Sequence, residues 1–344
     1  MCFLQIVLIG GNMKYLFKLK TTILITGSLL LASNICFADG KPVTEQLVDS
    51  FTKLANGPHK GYRANHAKGV MAEGVFTPSP LASSISKAAH LQTKTSNIVV
   101  RFSNGTGIPD ISDANPNANP KGIAIRFTLP DGTSTDIVSI SINSFLASTP
   151  EEFLELLNAA AESGPQVAKP TPIDTFLGTH PAAVKFLSKR PSYASFATMP
   201  FYGVNAFKFT NSKGLVQYGR YQITPIAGLQ TIGEEEAMRA QPNYLMDEIV
   251  SRLNKSEVKY RLALQMADEG DATNDSTVVW PDSRRVVELG VLTLKTSVPN
   301  SKQEEQKVMF NPLSIPEGIN TSDDPILLAR PISYAISYSR RLTN

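Results

Sequence analysis

Short runs rich in valine, isoleucine and phenylalanine recur along this chain and leave few architectures open. Residues 69–76, 98–103 (IVVRFS), 123–128 (IAIRFT) and 136–142 (DIVSISI) fill the first half; 204–210, 215–223, 258–266 and 286–295 follow. Such runs suit strands. The links are turn-rich: Gly, Pro, Asn and Asp dominate 105–120, and NSKG at 211–214 joins two runs as a hairpin. Helical patterns cover 43–54, 149–162, 172–188 with a break at Pro181, 242–253, and 324–341 with a break at Pro331. In the second of these Thr149 can cap, Pro150 suits the first turn, and Glu151 and Glu152 favour the positive end of the helix dipole. Many strands with short connections predict an α+β fold: an antiparallel barrel with added helices, rather than a doubly wound parallel sheet. Gly105 and Gly107 make no dinucleotide fingerprint, because the third glycine and a following helix are missing.

Residues 13–38 carry Lys14, Lys18 and Lys20, then an uncharged apolar run, then Cys36 and Ala38 before Asp39. That is the pattern of a secretory signal peptide. The expected division is a signal peptide over 1–38, with 1–12 an upstream mis-start before Met13, and one domain over 39–344. The alternative is an uncleaved anchor, since the apolar run is nearly of spanning length. A lipoprotein fits less well, because Ile35 precedes Cys36. Without the leader, 30 basic residues balance 30 acidic ones, so no nucleic-acid surface is expected.

Both cysteines, Cys2 and Cys36, fall in the leader. The exported chain would then hold no disulfide, thiolate metal site or cysteine nucleophile. Its only imidazoles are His59, His66, His90 and His180. Two stretches stand out. His66 sits in RANHAKG just before a strand. Arg330, Tyr334 and Arg341 in LLARPISYAISYSRR share one face if that stretch is helical. Taken alone, each has a plainer reading: a structural histidine, and a solvated basic stripe with a packed tyrosine.

Taken together with VRFSNGTG at 100–107, NPKGIAIRF at 119–127 and Trp280-Pro281, the order resembles the haem catalases over residues 43–341. The short length and the leader are closest to their small catalase-related peroxidases. The resemblance implies a catalase-like eight-stranded antiparallel barrel with helices, enclosing haem b. It implies that Tyr334 is the axial ligand of the haem iron, the tyrosine ligation known in catalase. Arg330, one turn before, would donate to that oxygen and favour the phenolate. Arg63, Arg101 and Arg341 would pair with haem propionates, as a forked guanidinium suits carboxylates. His66 would be the distal base, moving a proton from one peroxide oxygen to the other, with Ser103 orienting its ring. Phe153, with Phe145, would flank the distal face; Phe145 reads equally as plain core.

The chain departs from the catalase pattern in places. Ile140 stands where catalases carry a distal asparagine, and Asn143 comes three positions later. Asn115 replaces a channel carboxylate, and the histidine-rich stretch after Tyr334 is absent. The threading arm and C-terminal domain of full-length catalases find no counterpart, so a monomer or small homo-oligomer is expected. The function expected is a periplasmic haem peroxidase acting on organic hydroperoxides and hydrogen peroxide, with weak catalase activity at most and an unidentified electron donor. No stable membrane insertion is expected after leader cleavage. Two alternatives stay open: a hydroperoxide-rearranging haem enzyme, and a barrel that binds haem or an apolar ligand without turnover.

Overall fold

The structure, a computed structural model, describes residues 40–92, 94–188 and 190–343. The leader expected over 1–38 lies outside them. Eight strands pair antiparallel in a closed ring: β1 Gly69–Pro78, β2 Ser96–Ser103, β3 Gly122–Thr128, β4 Ser134–Ile140, β5 Phe201–Tyr202, β6 Val216–Pro225, β7 Val258–Met266 and β8 Val286–Ser297. β7 pairs with both β6 and β8, and β8 returns to β1, so the sheet closes on itself. Closure leaves no free edge among these eight. Two further strands, Phe207–Thr210 and Ile319–Thr321, extend the sheet beside β6.

The barrel interior is solid. Phe76, Phe102, Phe127, Phe201 and Tyr260 are fully buried there, with Ile123, Ile125 and Leu262 between them. Alternation along each strand then sends the intervening residues outward. In β2, Val100 and Phe102 point in, so Arg101 and Ser103 face out. The β1–β8 register shifts between Glu73 and Gly74, with Lys295 the extra residue on β8. A Cβ on Gly74 would lie 2.0 Å from the Thr293 carbonyl oxygen, so only glycine fits there.

Helices accompany the barrel. α1 is Val43–Leu54, α2 Pro150–Ala161, α3 Pro172–Thr179, α4 Pro181–Leu187, α5 Tyr244–Leu253, α6 Ser301–Lys307 and α7 Pro325–Thr343. α1 packs on α2 and α7. A second apolar cluster joins Leu47 of α1, Leu156 and Leu157 of α2, and Phe176 and Phe186 beyond. Thr149 caps α2 by accepting from the Glu152 N–H at 3.1 Å.

Some expected boundaries change. Pro331 does not break the last helix, which runs on through it. Proline forfeits one backbone bond and crowds the preceding turn, yet buried Leu327 before it and Arg341 after it hold the segment to one course. β4 spans Ser134–Ile140 rather than 136–142. β5 is only two residues long, too short to show periodicity. α6, SKQEEQK, has no apolar stripe to reveal it.

Candidate active site

The outward-facing residues of β2 to β4, the loop before β1, and one face of α7 line a cavity of about 240 Å³. Its walls are mostly apolar, with Phe51, Phe145, Phe153, Ile140, Met309 and Phe310 among them. Phe153 meets Phe145 and Phe51 edge-on at centroid distances of 5.1 and 5.5 Å.

His66 enters from the loop with φ of +55°, a left-handed conformation uncommon outside glycine. Asn65 Oδ1 accepts from its backbone N–H at 2.9 Å. Its ring Nδ1 lies 3.0 Å from Ser103 Oγ, at the end of β2. Gly122 opposes Ser103 across the β2–β3 ladder, and a Cβ there would come within 2.7 Å of that hydroxyl and 3.0 Å of the ring. Burial, then the charges of Arg101, Arg330 and Arg63, push the imidazole down to about 3. The ring is therefore neutral at physiological pH. With Nδ1–H directed at Ser103, Nε2 is left with its lone pair.

Arg101 holds the loop in place. It donates to the carbonyl oxygens of His66 at 2.9 Å and Ala67 at 3.3 Å, while its Nε bonds Glu305. Arg63 donates to the Glu305 and Val308 carbonyl oxygens at 2.9 and 2.8 Å. Arg341 donates to Val308 at 2.7 Å, and its buried Nε has no hydrogen-bond partner. Burial, reinforced by Arg101, pushes Arg341 down to about 10. Three guanidinium groups thus gather around a single carboxylate, Glu305. The excess cation and the orphaned Nε call for anionic partners from a ligand.

On α7, Arg330 and Tyr334 stand one turn apart. Arg330 Nε and an NH2 group donate to Tyr334 Oη at 3.1 and 3.0 Å. Its remaining NH group donates to Asn205 Oδ1 at 2.7 Å, and Asn205 Nδ2 donates to Asp324 at 2.7 Å. Asp324 also accepts from the Ile326 N–H at 2.9 Å, capping α7. Burial pushes its carboxyl up. Two charged donors converging on one phenol oxygen stabilise negative charge there.

His66, Ser103, Tyr334, Arg330, Arg63, Arg101, Arg341, Phe153, Phe145 and Ile140 all line this one cavity. Asn143 does not: it lines a separate polar cavity with Lys121 and Tyr202. Asn115 caps the short turn Pro116–Ala118, accepting from the Asn117 N–H at 2.9 Å. Trp280 is buried under the Arg220 guanidinium, 4.3 Å from its ring centre. Glu305, Asn205 and Asp324 escaped the sequence reading. The first sits on a helix without a pattern; the other two are polar residues whose partners lie 125 and 119 positions away.

A phenol oxygen held by arginine, apolar walls for a flat ring, and unpaired cation for acidic side arms suit haem. Tyr334 would hold its iron, and Arg63 and Arg341 its carboxylates. Comparison with known proteins agrees. The family model for catalase matches residues 55–344. A catalase-related peroxidase of Mycolicibacterium paratuberculosis is 33% identical over 303 residues, covering 86% of this chain and 94% of that protein. One from Synechococcus elongatus is 30% identical, covering 87% of this chain and 89% of its own length. Among solved structures, a fungal catalase superposes with a TM-score of 0.74 at 24% identity, and catalase A of Saccharomyces cerevisiae with 0.73 at 24%. They cover 87% and 86% of this chain, which spans a little under two thirds of each, 63% and 64%. Barrel, order of residues and relatives agree: the chain belongs to the catalase family, whose members depend on haem.

Proposed function

We propose that this protein is a haem b peroxidase that reduces organic hydroperoxides and hydrogen peroxide, with oxygen release from hydrogen peroxide at most a slow side reaction. The observation that carries it is His66: a neutral imidazole, tied at Nδ1 to Ser103 and turned into the same cavity as the Arg330–Tyr334 pair. A carrier of haem needs no such base.

Haem, when bound, supplies an iron that can accept oxidation from a peroxide O–O bond. His66 Nε2 takes the proton from one peroxide oxygen and returns it to the other, so that water or an alcohol leaves. Its depressed pKa makes the ring a strong acid once protonated, which favours the second transfer. Ser103 fixes the ring plane. Tyr334 would hold the iron through an oxygen to which Arg330 donates twice. Arg63 and Arg341 would hold the carboxylate arms. Ile140, Phe145 and Phe153 keep the distal space dry, and Ile140 offers no hydrogen bond to position a second hydrogen peroxide.

The leader pattern over 1–38 supports export to the periplasm. Assembly as a monomer or small homo-oligomer and reduction by an external electron donor are part of the same proposal. Steady-state rates test the reading: hydrogen peroxide alone, then an organic hydroperoxide with a dye donor. Dye oxidation faster than oxygen release supports it. Rapid oxygen release without donor, or isomerisation of the hydroperoxide without reductant, overturns it.

A further inference from the structure

Glu305 is the one buried residue of α6, whose other positions are partly or fully exposed. A buried carboxylate costs free energy unless its charge is matched, and here arginines supply the match. Glu305 bonds Arg101 Nε, and Arg63 Nη1 lies 3.8 Å from its Oε2. We propose that Glu305 is a specificity-determining residue for the cofactor: by cancelling one of the three guanidinium charges, it sets at two the number of carboxylates that a bound porphyrin must bring. The inference rests on the haem reading and goes beyond it, from which residues hold the acidic arms to what fixes their number.

The charges can be counted. Arg101 is engaged within the chain: its Nε goes to Glu305, and an NH2 group to the His66 and Ala67 carbonyl oxygens. Arg63 and Arg341 donate to the carbonyl oxygens of Glu305 and Val308, which satisfy hydrogen bonds but carry no net charge. Nearby acids are taken elsewhere: Glu304 pairs with Lys307, and Glu45 and Asp49 with Arg340. Three positive charges against one negative leave two, beside a cavity whose walls are mostly apolar. Burial lowers both free guanidinium groups, Arg341 to about 10, and the neighbouring arginines lower them further. Glu305 acts in the opposite direction on each without fully offsetting them.

Two ionised arms bring this end of the cavity to neutrality. A single arm leaves a buried cation, and an unpaired buried charge costs far more than a paired one. With a neutral side chain in place of Glu305, a cation would remain even with both arms bound, so each arm would contribute more to affinity. A residue that only braced Arg101 by hydrogen bonding would have no such effect. The inference assigns the selectivity to the charge of Glu305, not to its contact.

The test uses the full chain prepared free of haem, with iron-free protoporphyrin IX and its monomethyl and dimethyl esters. These share one ring and carry two, one and no free carboxylates; without iron, Tyr334 adds nothing to the comparison. Porphyrin fluorescence reads the affinities. In unmodified protein each lost carboxylate is expected to weaken binding by about tenfold, and in Glu305→Gln by about a further tenfold, from the Coulomb energy of one added charge. Glu305→Asp keeps the charge and is expected to keep the unmodified ratios. Glu305→Gln combined with Arg101→Gln restores the count of two and is expected to restore those ratios. Unaltered ratios in Glu305→Gln, or no return in the double variant, overturn the inference. If Glu305→Gln does not fold, the double variant decides: folding with unmodified ratios supports the count, and failure overturns it. Failure of the unmodified protein to bind any of the three porphyrins overturns the haem reading instead.

Discussion

Gly122 shows how little room the His66–Ser103 pair has. An added methyl would reach both side chains, with 2.7 Å to the hydroxyl and 3.0 Å to the ring. Gly122→Ala is expected to keep haem but slow the peroxide step by about tenfold, the penalty of a misplaced acid–base group. Tyr334→Phe removes the oxygen that two Arg330 donors hold. Loss of bound haem, or a changed absorption spectrum, is expected; an unaltered haem spectrum would show that Tyr334 is not the ligand. Ile140→Asn restores a polar group to the distal wall and is expected to raise oxygen release relative to dye oxidation, read with an oxygen electrode and a dye assay on one preparation. That Tyr334 and Arg330 share a face was legible in the sequence because one helical turn separates them; their roles came only from the resemblance to the catalases. Arg101 was expected to pair with a haem propionate; its bonds to the His66 and Ala67 carbonyls and to Glu305 needed the folded loop.

At the scale of elements, α7 ties its cap to its chemistry. Asp324 accepts from the first turn of the helix and, through Asn205, reaches Arg330. Asp324→Ala is expected to cost about 1–2 kcal/mol through the lost cap and to disturb the haem spectrum as Arg330 loosens. Chemical denaturation and absorption spectra check the two parts separately. The helices α1 and α2 could be read from apolar spacing and, for α2, from Thr149 and Pro150. α6 could not: its seven residues are polar, and it is held in place by what it contacts. Glu305 on α6 nevertheless supplies the carboxylate shared by Arg63 and Arg101. Strands were legible from their residue types, except the shortest: Ile319–Thr321, and β5, whose two residues carry no pattern but complete the ring.

Across the whole molecule, His66 and His90 are each pushed down to about 3, chiefly by burial. His90 packs between Phe76 and Phe127, and its Nδ1 has no partner. An unfolded chain binds protons at these histidines near the ordinary value of about 6.5, whereas the folded chain does not until about 3. Stability therefore falls as pH drops through that window, by up to about 1.4 kcal/mol per pH unit for each such group. His90→Leu is expected to flatten the fall between pH 6 and 4, as measured by denaturant midpoints. Residues Lys41–Asn344 form one unit. For the segment before it, intact-mass measurement on protein from the native host is expected to find a chain beginning at Asp39; a chain retaining Cys36 would instead indicate an anchor or lipoprotein.

Stopped-flow mixing of haem-loaded protein with an organic hydroperoxide tests the role of His66 directly. With no donor present, the change in haem absorbance reports peroxide cleavage alone. His66→Ala is expected to bind haem as before and to slow that change by about 10²–10⁴-fold, with Ser103→Ala affected less. In unmodified protein the rate is expected to be flat from pH 5 to 8, because an imidazole pushed down to about 3 stays neutral throughout. If His66→Ala reacts at the unmodified rate, His66 does not move the proton and the proposed mechanism fails.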